Sequence, residues 1–194
     1  MGFTVDPWSD RLPDLFREAH VDYADCRIRY TTAPVEEELV SRLHLVAVTE
    51  AGHVVVCRSD QGWRFLPGGT REPGESLTAL ASRELMEEAG AVLIGEIQCF
   101  SAHVADSSRA QPYRPHLPHP RAYWAYAVAQ VQLVGAPTNP PGGETVIEVV
   151  AMPPATGAEY LQEGEDPIHA DVLRHADALG LVRALGRGVD GSYP

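Results

Sequence analysis

The chain has 194 residues, of which 44% are hydrophobic, and its formal net charge is −12. This length and apolar content fit one folded domain of ordinary size and exclude a largely disordered chain. The acidic balance disfavours binding to duplex nucleic acid, which requires a basic surface, and it favours a cation as partner.

The first half of the chain contains mainly extended segments. Within the polar residues 1–40 we predict one short helix over residues 12–20. Apolar, β-branched segments over residues 43–49 and 53–58, separated by Gly52, are typical of a β-hairpin. The segment "WRFLPGG" predicts a third extended piece, which we expect to end in a turn at residues 67–69 because proline and glycine interrupt strands.

The second half begins with the clearest helix of the sequence, over residues 77–89. Ser76 is a suitable N-cap and Gly90 a suitable C-terminal stop. Strands are predicted over residues 91–103, 121–134 and 145–152, followed by helices over residues 155–162 and 166–185. The order of strands, helix, strands and helices predicts a mixed α/β sandwich.

The remaining global features concern domains and location. We predict one domain over residues 41–186, an N-terminal extension over residues 1–40 that serves dimerisation, and a C-terminal tail over residues 187–194.

Three separated cysteines form no C-x-x-C pair, so neither a zinc site nor a disulfide framework is indicated. All 15 basic residues are arginine, which excludes chemistry that needs a lysine. No signal segment or membrane-spanning run is evident, and we expect a soluble cytoplasmic protein.

The helix over residues 77–89 carries acidic residues on its inward face. At about 100° per residue, Glu84 and Glu88 share an arc with Leu77 and Ala81, while Glu87 lies at its edge. A solvent-exposed ion pair would instead place the glutamates opposite the leucines. Carboxylates crowded on an inward face need neutralisation, by protons or by a divalent cation with oxygen ligands. We favour the cation.

These residues match a family pattern. The stretch resembles the complete box of the Nudix hydrolase family, G-x5-E-x7-R-E-U-x-E-E-x-G-U, through Gly69, Glu75, Arg83, Glu84, Leu85, Glu87, Glu88, Gly90 and Ala91. Ala91 is a small departure, since a bulkier aliphatic residue is usual there. The resemblance implies a Nudix fold, with a mixed β-sheet sandwiched between α-helices. It also implies cleavage, with Mg²⁺ or Mn²⁺, of a phosphoanhydride bond in a nucleoside diphosphate linked to another group, X.

Roles can be assigned to the residues of the box. The i, i+3, i+4 spacing directs the carboxylates of Glu84, Glu87 and Glu88 to one side as metal ligands. The resemblance implies that Gly68 offers its carbonyl to the metal and that Glu75 supports the cluster. Arg83 is expected to hold Glu84 or Glu87 in place.

The general base is left open by the sequence. It is one carboxylate of the cluster or an acid from a later loop. There we favour Glu144 over Glu148, because Glu148 could be the polar member of an alternating strand. His169 is a further candidate, although a lone helix histidine is more often a surface residue.

Substrate binding is predicted mainly in the proline-rich segment 105–121. Its arginines suit phosphate oxygens, and aromatic residues suit stacking on a base. The candidates are Arg64, Arg109, Tyr113, Arg114, His116, Arg121 and Trp124. Phe65 is a candidate for the pocket or for the core. The alternative is that this segment forms a semi-rigid surface loop that packs on a neighbouring subunit.

The expected partner is a small nucleoside diphosphate derivative, and a homodimer is possible. Signature motifs of the family branches that cleave NADH or ADP-ribose are not evident. The main rival function is a nucleotide-binding sensor with the same fold that no longer hydrolyses. An intact box, with no glutamate or arginine lost, favours the enzyme.

Overall fold

The computed structural model describes residues 7–142, 145–164 and 167–186. The α-helices in these ranges are α1 Pro13–Phe16, α2 Leu77–Ala89, α3 Pro154–Gln162, α4 Ile168–Ala178 and α5 Leu181–Leu185. The strands are β1 Ala19–Val21, β2 Cys26–Thr31, β3 Val40–Thr49, β4 Val54–Ser59, β5 Arg64–Phe65, β6 Gly68–Thr70, β7 Ala91–Ser107, β8 Arg121–Leu133 and β9 Val146–Met152. None of these helices is both long and apolar enough to cross a membrane.

The strands form one mixed sheet. Its order is β1-β2-β7-β8-β3-β4-β5, with β6 paired to β3 and β9 paired to β4. The pairing of β3 with β8 is parallel, whereas the other pairings are antiparallel. β3 therefore lies in the interior of the sheet, with β8 along one edge and β6 and β4 sharing the other.

Helices cover both faces of this sheet. On one face, Leu85 of α2 belongs to a buried cluster with Leu45 and Ala47 of β3. On the other face, α1, α3, α4 and α5 form a second cluster with Val46 and Val48. Successive strand residues point to opposite faces, so the single apolar run of β3 serves both cores. The predicted architecture, a mixed sheet sandwiched between helices, is confirmed.

Helix α2 has the predicted ends. The side chain of Ser76 accepts a hydrogen bond from the backbone N–H of Ala79 at 3.2 Å, which caps the first turn. Gly90 ends the helix in the left-handed region at φ 57°. A Cβ at Gly90 would lie 2.3 Å from the carbonyl oxygen of Gly135. Both the turn and the close approach of the following chain therefore require glycine.

The N-terminal prediction is wrong in its main element. A helix was expected over residues 12–20, but only α1 is helical, and β1 follows it. β2 was not predicted, although it pairs with β7 over its whole length. Its residues alternate between buried Cys26, Ile28 and Tyr30 and exposed Arg27 and Arg29. This period of two was the available signal for a strand.

A buried polar contact ties β2 to the C-terminal helices. The hydroxyl of Tyr30 donates to Oγ of Ser101 at 2.6 Å. The same hydroxyl lies 2.8 Å from Nδ1 of His175 in α4. The segment around β2 is thus joined to the sheet and to the helical layer on one of its faces.

Two further predictions need correction. Residues 67–69 were expected to form a turn, but Gly68–Thr70 is the short strand β6, because it pairs with the first half of β3. One final helix was expected over residues 166–185, but α4 and α5 are separate. Gly180 adopts a left-handed conformation at φ 75° between them, and a helix cannot continue through that conformation.

Candidate active site

The acidic cluster consists of Glu75, Glu84, Glu87 and Glu88, and Arg83 of α2 pairs with the first three. It donates to both carboxylate oxygens of Glu75, at 2.9 and 3.1 Å. Its Nη1 donates to Glu84 at 2.8 Å and to Glu87 at 3.2 Å, and Nη2 donates to the carbonyl of Thr70 at 3.2 Å. The hydrogen bonds to Glu75 raise the pKa of Arg83. One guanidinium thus serves three carboxylates, and the cluster keeps an excess of negative charge.

Glu84 is the buried member of the cluster. Its side chain is 8% exposed. Burial raises the pKa of its carboxyl group, and the positive charge of Arg83 opposes that effect. Space for this carboxylate depends on Gly69 of β6, because a Cβ there would lie 2.1 Å from Oε1 of Glu84. The glycine of the box therefore leaves room for a glutamate of the box.

Replacing Gly69 with alanine is expected to displace the Glu84 carboxylate. The added methyl group would overlap Oε1, and the flexible end of the glutamate would move rather than the strand. A misplacement of this size is expected to lower kcat by about tenfold to a hundredfold, with little change in the melting temperature. Turnover assays and thermal unfolding measure the two effects. Gly135→Ala is the control, since a Cβ at Gly135 meets nothing within 4 Å.

Glu75 lies in the loop before α2 and anchors Arg83. Burial raises the pKa of its carboxyl group, but hydrogen bonds from Arg83 and from the backbone N–H of Glu72 outweigh burial, and the net pKa is lowered. The Glu72 N–H lies 2.9 Å from Oε2 of Glu75. Glu75 is therefore held as a charged partner of Arg83.

Glu88 joins the helix to β6. Its Oε2 accepts a hydrogen bond from the backbone N–H of Gly68 at 2.8 Å. A Cβ at Gly68 would lie 2.1 Å from the carbonyl oxygen of Leu43 on the neighbouring strand β3. Only glycine permits this approach, and the approach brings the Gly68 amide to the carboxylate. Gly68 and Glu88 both line a cavity in the sheet.

The donor set fits a hard divalent cation. Glu84, Glu87 and Glu88 supply carboxylate oxygens, which Mg²⁺ and Mn²⁺ prefer. In the described ranges, however, no three His, Cys, Asp or Glu side chains stand in an arrangement that could hold a metal ion. Arg83 draws Glu84 and Glu87 towards itself, and the Gly68 amide holds Glu88. The single positive charge of Arg83 cannot balance these carboxylates, and a bound cation would neutralise the remaining negative charge.

Two adjoining cavities lie at this site, and the one of about 340 Å³, called the larger cavity below, opens beside Glu88. Arg64, Phe65 and Trp124, which were predicted at a substrate pocket, line it. Arg64 donates to the carbonyl of Tyr160 at 3.0 Å. Its Nη1 also contacts the carboxylate of Glu163. The cationic group of Arg64 therefore has protein partners already.

Three histidines line the larger cavity, namely His44, His103 and His169. Burial, together with the nearby His169, lowers the pKa of His44 well below its usual value, so His44 is neutral near pH 7. Nδ1 of His169 accepts a hydrogen bond from the backbone N–H of Leu66 at 3.1 Å. Nδ1 of His103 lies 2.9 Å from the hydroxyl of Tyr126. The wall therefore combines aromatic surface with polar nitrogen atoms.

A smaller cavity of about 170 Å³ lies beside it, and Tyr113, Arg114 and Trp124 are among its lining residues. Arg109 lies over the ring of Tyr113 and donates to the backbone carbonyl of Tyr23 at 2.7 Å. His116 lies 2.8 Å from the carbonyl of Arg71 and lines neither of these two cavities. The predicted substrate residues are thus divided among several places.

Three other candidate residues are placed as follows. Arg121 forms two hydrogen bonds to Asp106, at 2.6 and 3.2 Å. Glu148 is paired with Arg58 at 2.9 Å, and this hydrogen bond lowers the pKa of Glu148. Both residues are thus engaged in ion pairs across strands. Glu144 lies outside the described residues.

The sequence analysis missed several cavity residues, chiefly Tyr23, Arg42, His44 and Tyr126. Arg42 and His44 alternate with buried apolar residues along the first half of β3. A polar residue at every second position of a strand indicates that one face is not packed into a core. That alternation was the signal, but it does not reveal what covers the polar face.

Comparisons with known proteins give one family match and several solved structures of low sequence identity. A family model described as NUDIX domain matches residues 39–176. The pyrophosphohydrolase BsRppH of Bacillus subtilis is 13% identical, with 86% of this chain and 99% of that chain covered and a TM-score of 0.58. A NUDIX hydrolase from Nitrosomonas europaea is 16% identical, with coverage of 78% and 99% and a TM-score of 0.48. An ADP compounds hydrolase is 18% identical, with coverage of 72% and 74% and a TM-score of 0.46. No curated protein matches the sequence.

Proposed function

The chain belongs to the NUDIX domain family and is a Nudix-type enzyme, and we propose that it hydrolyses a phosphoanhydride bond in a nucleoside diphosphate linked to another group, X. The observation that carries this proposal is the junction at Glu88. There, an acidic cluster with excess negative charge meets a cavity that is large enough for a nucleoside. The contact between Glu88 and the Gly68 amide joins the two.

Glu84, Glu87 and Glu88 are the proposed ligands of Mg²⁺ or Mn²⁺, together with the carbonyl of Gly68. When bound, the ion neutralises charge on the phosphates and acidifies water. Glu75 supports this group indirectly, because it holds Arg83. Arg83 in turn orients Glu84 and Glu87.

The reaction is attack of water on phosphorus with cleavage of the phosphoanhydride bond. A carboxylate must accept the proton of the attacking water. We assign this role to one of the cluster glutamates or to Glu144 from the later loop. Burial raises the pKa of the Glu84 carboxyl group, so Glu84 binds a proton more readily than an exposed glutamate.

The larger cavity is the proposed site of the nucleoside. Trp124 and Phe65 offer aromatic surface for stacking on a base. Neutral His44 offers a polar contact without adding charge. Arg109, Tyr113, Arg114 and His116 remain proposed substrate contacts. Of these, Tyr113 and Arg114 line the smaller cavity, which would receive part of the distal group X.

The test is turnover with controlled metal content. The purified chain is incubated with Mg²⁺ or Mn²⁺ and with dinucleoside polyphosphates, nucleotide sugars, ADP-ribose and nucleoside triphosphates, and phosphate-bearing products are followed. We expect cleavage of at least one compound, loss of activity on chelation, and recovery when either ion is returned. Tight binding without cleavage of any compound would instead support the nucleotide sensor.

Other properties remain predictions from the sequence. They are a cytoplasmic location, the homodimer, and the absence of binding to membranes and duplex nucleic acid. Sedimentation of the purified chain tests the dimer directly.

A further inference from the structure

Arg42 lies on β3 at the wall that the two cavities share. The sheet register pairs it with Trp124 of β8 on one side and with Thr70 of β6 on the other. Directly paired residues project from the same face of a sheet. Arg42, Trp124 and Tyr23 line both the larger and the smaller cavity. The guanidinium therefore stands between the two spaces proposed for the ends of the substrate.

The guanidinium of Arg42 has unused hydrogen-bonding capacity. Its Nη1 donates to the hydroxyl of Tyr23, and its Cζ lies 5.3 Å from the ring centroid of Trp124. Nε is buried and has no hydrogen-bond partner. Within the described ranges, Arg42 takes part in none of the ion pairs that arginines form with carboxylates. A buried N–H without an acceptor is costly, so a ligand that draws the guanidinium to a position where this N–H meets an acceptor would stabilise the bound form.

We propose that Arg42 binds a phosphate group of the substrate and that Tyr23 positions Arg42 for this contact. The inference rests on the proposed function, because it concerns the substrate of the same site. Phosphate oxygens suit the planar donors of arginine. Gly68 and Glu88 line the same larger cavity, so a phosphate chain beside them runs close to this cation.

Tyr23 connects the N-terminal segment to the site. It lies before residues 39–176, which the family model matches. Its hydroxyl accepts a hydrogen bond from Arg42, its backbone carbonyl accepts one from Arg109, and its ring meets that of Tyr113. One residue thus joins β3 to the loop over residues 108–120. Part of the N-terminal extension, which was predicted to serve dimerisation, belongs to the substrate site.

The experiment compares charged and neutral ligands. Binding of ADP, GDP, CDP and UDP, and of the four matching nucleosides, is measured by calorimetry for wild type, Arg42→Gln, Arg42→Lys and Tyr23→Phe. Arg27→Gln is the control, since Arg27 is exposed on β2 and lines neither cavity. Thermal unfolding checks that each variant is folded.

We expect Arg42→Gln to weaken binding of the preferred diphosphate by about tenfold to a hundredfold, which is typical for loss of a charge-assisted hydrogen bond. Binding of the matching nucleoside is expected to be unchanged. Arg42→Lys should lie between wild type and Arg42→Gln. Tyr23→Phe should weaken diphosphate binding by about twofold to tenfold and, with a cleaved substrate, raise KM without lowering kcat.

Three results would overturn the inference. These are equal losses of nucleoside and diphosphate binding in Arg42→Gln, no loss in that variant, and no diphosphate binding by wild type. The outcome is separable from that of the turnover test. Diphosphate binding that depends on Arg42 without any turnover leaves the inference standing and the hydrolase proposal failed. Turnover together with diphosphate binding that does not depend on Arg42 leaves the hydrolase proposal standing and overturns the inference about Arg42.

Discussion

Replacing Glu88 with glutamine is expected to lower kcat by about a hundredfold to a thousandfold, while the protein stays folded. In the wild-type protein, the backbone N–H of Gly68 donates to the Glu88 carboxylate at 2.8 Å. The amide oxygen of glutamine can still accept this hydrogen bond. It cannot supply the negative charge that binds a divalent cation or a proton. Turnover and thermal unfolding of the variant are the measurements.

Glu96→Gln is the matched control for this variant. Glu96 is exposed on β7 and lies outside the acidic cluster, so the same chemical change should leave turnover at the wild-type level. Calorimetry with Mn²⁺ adds a readout that does not depend on turnover. Unchanged Mn²⁺ binding and unchanged kcat in Glu88→Gln would remove Glu88 from the site.

Replacing Arg83 with glutamine is expected to lower both stability and activity. Glu75, Glu84 and Glu87 would then face one another without a cation, and the Glu84 side chain is only 8% exposed. Breaking a buried ion pair by removing one partner typically costs 3–5 kcal/mol. Because Arg83 is 23% exposed, we expect a loss of about 2–4 kcal/mol in the free energy of unfolding. Urea denaturation measures it.

The loss is expected to depend on pH in one direction. The folded-state pKa of Glu84 is already raised by burial, and without Arg83 it rises further. Folding then binds protons, so stability falls as the pH rises through that pKa. In wild type, Arg83 lowers the pKa of Glu75, and that contribution to stability is lost as the pH falls. Both effects make the difference between wild type and variant shrink as the pH approaches about 4.

Arg174→Gln is the control for Arg83→Gln. Arg174 pairs with Asp171 within α4 and is 37% exposed, and it also donates to Gln162; a partly exposed pair of this kind contributes about 1 kcal/mol or less. A stability loss in Arg83→Gln no larger than in this control would show that the carboxylates do not depend on Arg83. A difference that grows towards acidic pH would contradict the assigned burial of Glu84.

The arrangement uses both faces of the sheet. Helix α2 brings the carboxylates from one face, and the larger cavity lies beside His169 of α4 on the other. The contact between Glu88 and Gly68 is where the two meet. β6 can hold this position because it pairs with only the first half of β3. In the proposed function, the short strand places the scissile bond between the acidic cluster and the nucleoside.

Helix α2 and its acidic residues followed from the sequence because their signals are local. Ser76 and Gly90 mark the ends of the helix, and the spacing of Glu84, Glu87 and Glu88 sets their directions on it. The inward position of Glu84 was predicted from helical periodicity and is found in the structure. The mixed sandwich was predictable for the same reason, since each helix or strand has a local signal and their order along the chain indicates the fold class.

Contacts between distant parts of the chain were not readable from the sequence. The alternation within β2 was visible in the sequence but its partner β7 was not, and Gly68–Thr70 forms a strand through its pairing with β3. Arg42, Tyr23 and Trp124 meet through strand register and not through sequence spacing. Helical order within α2 depends on neighbours three and four residues away. The cavities depend on pairings across tens of residues, which no local pattern specifies.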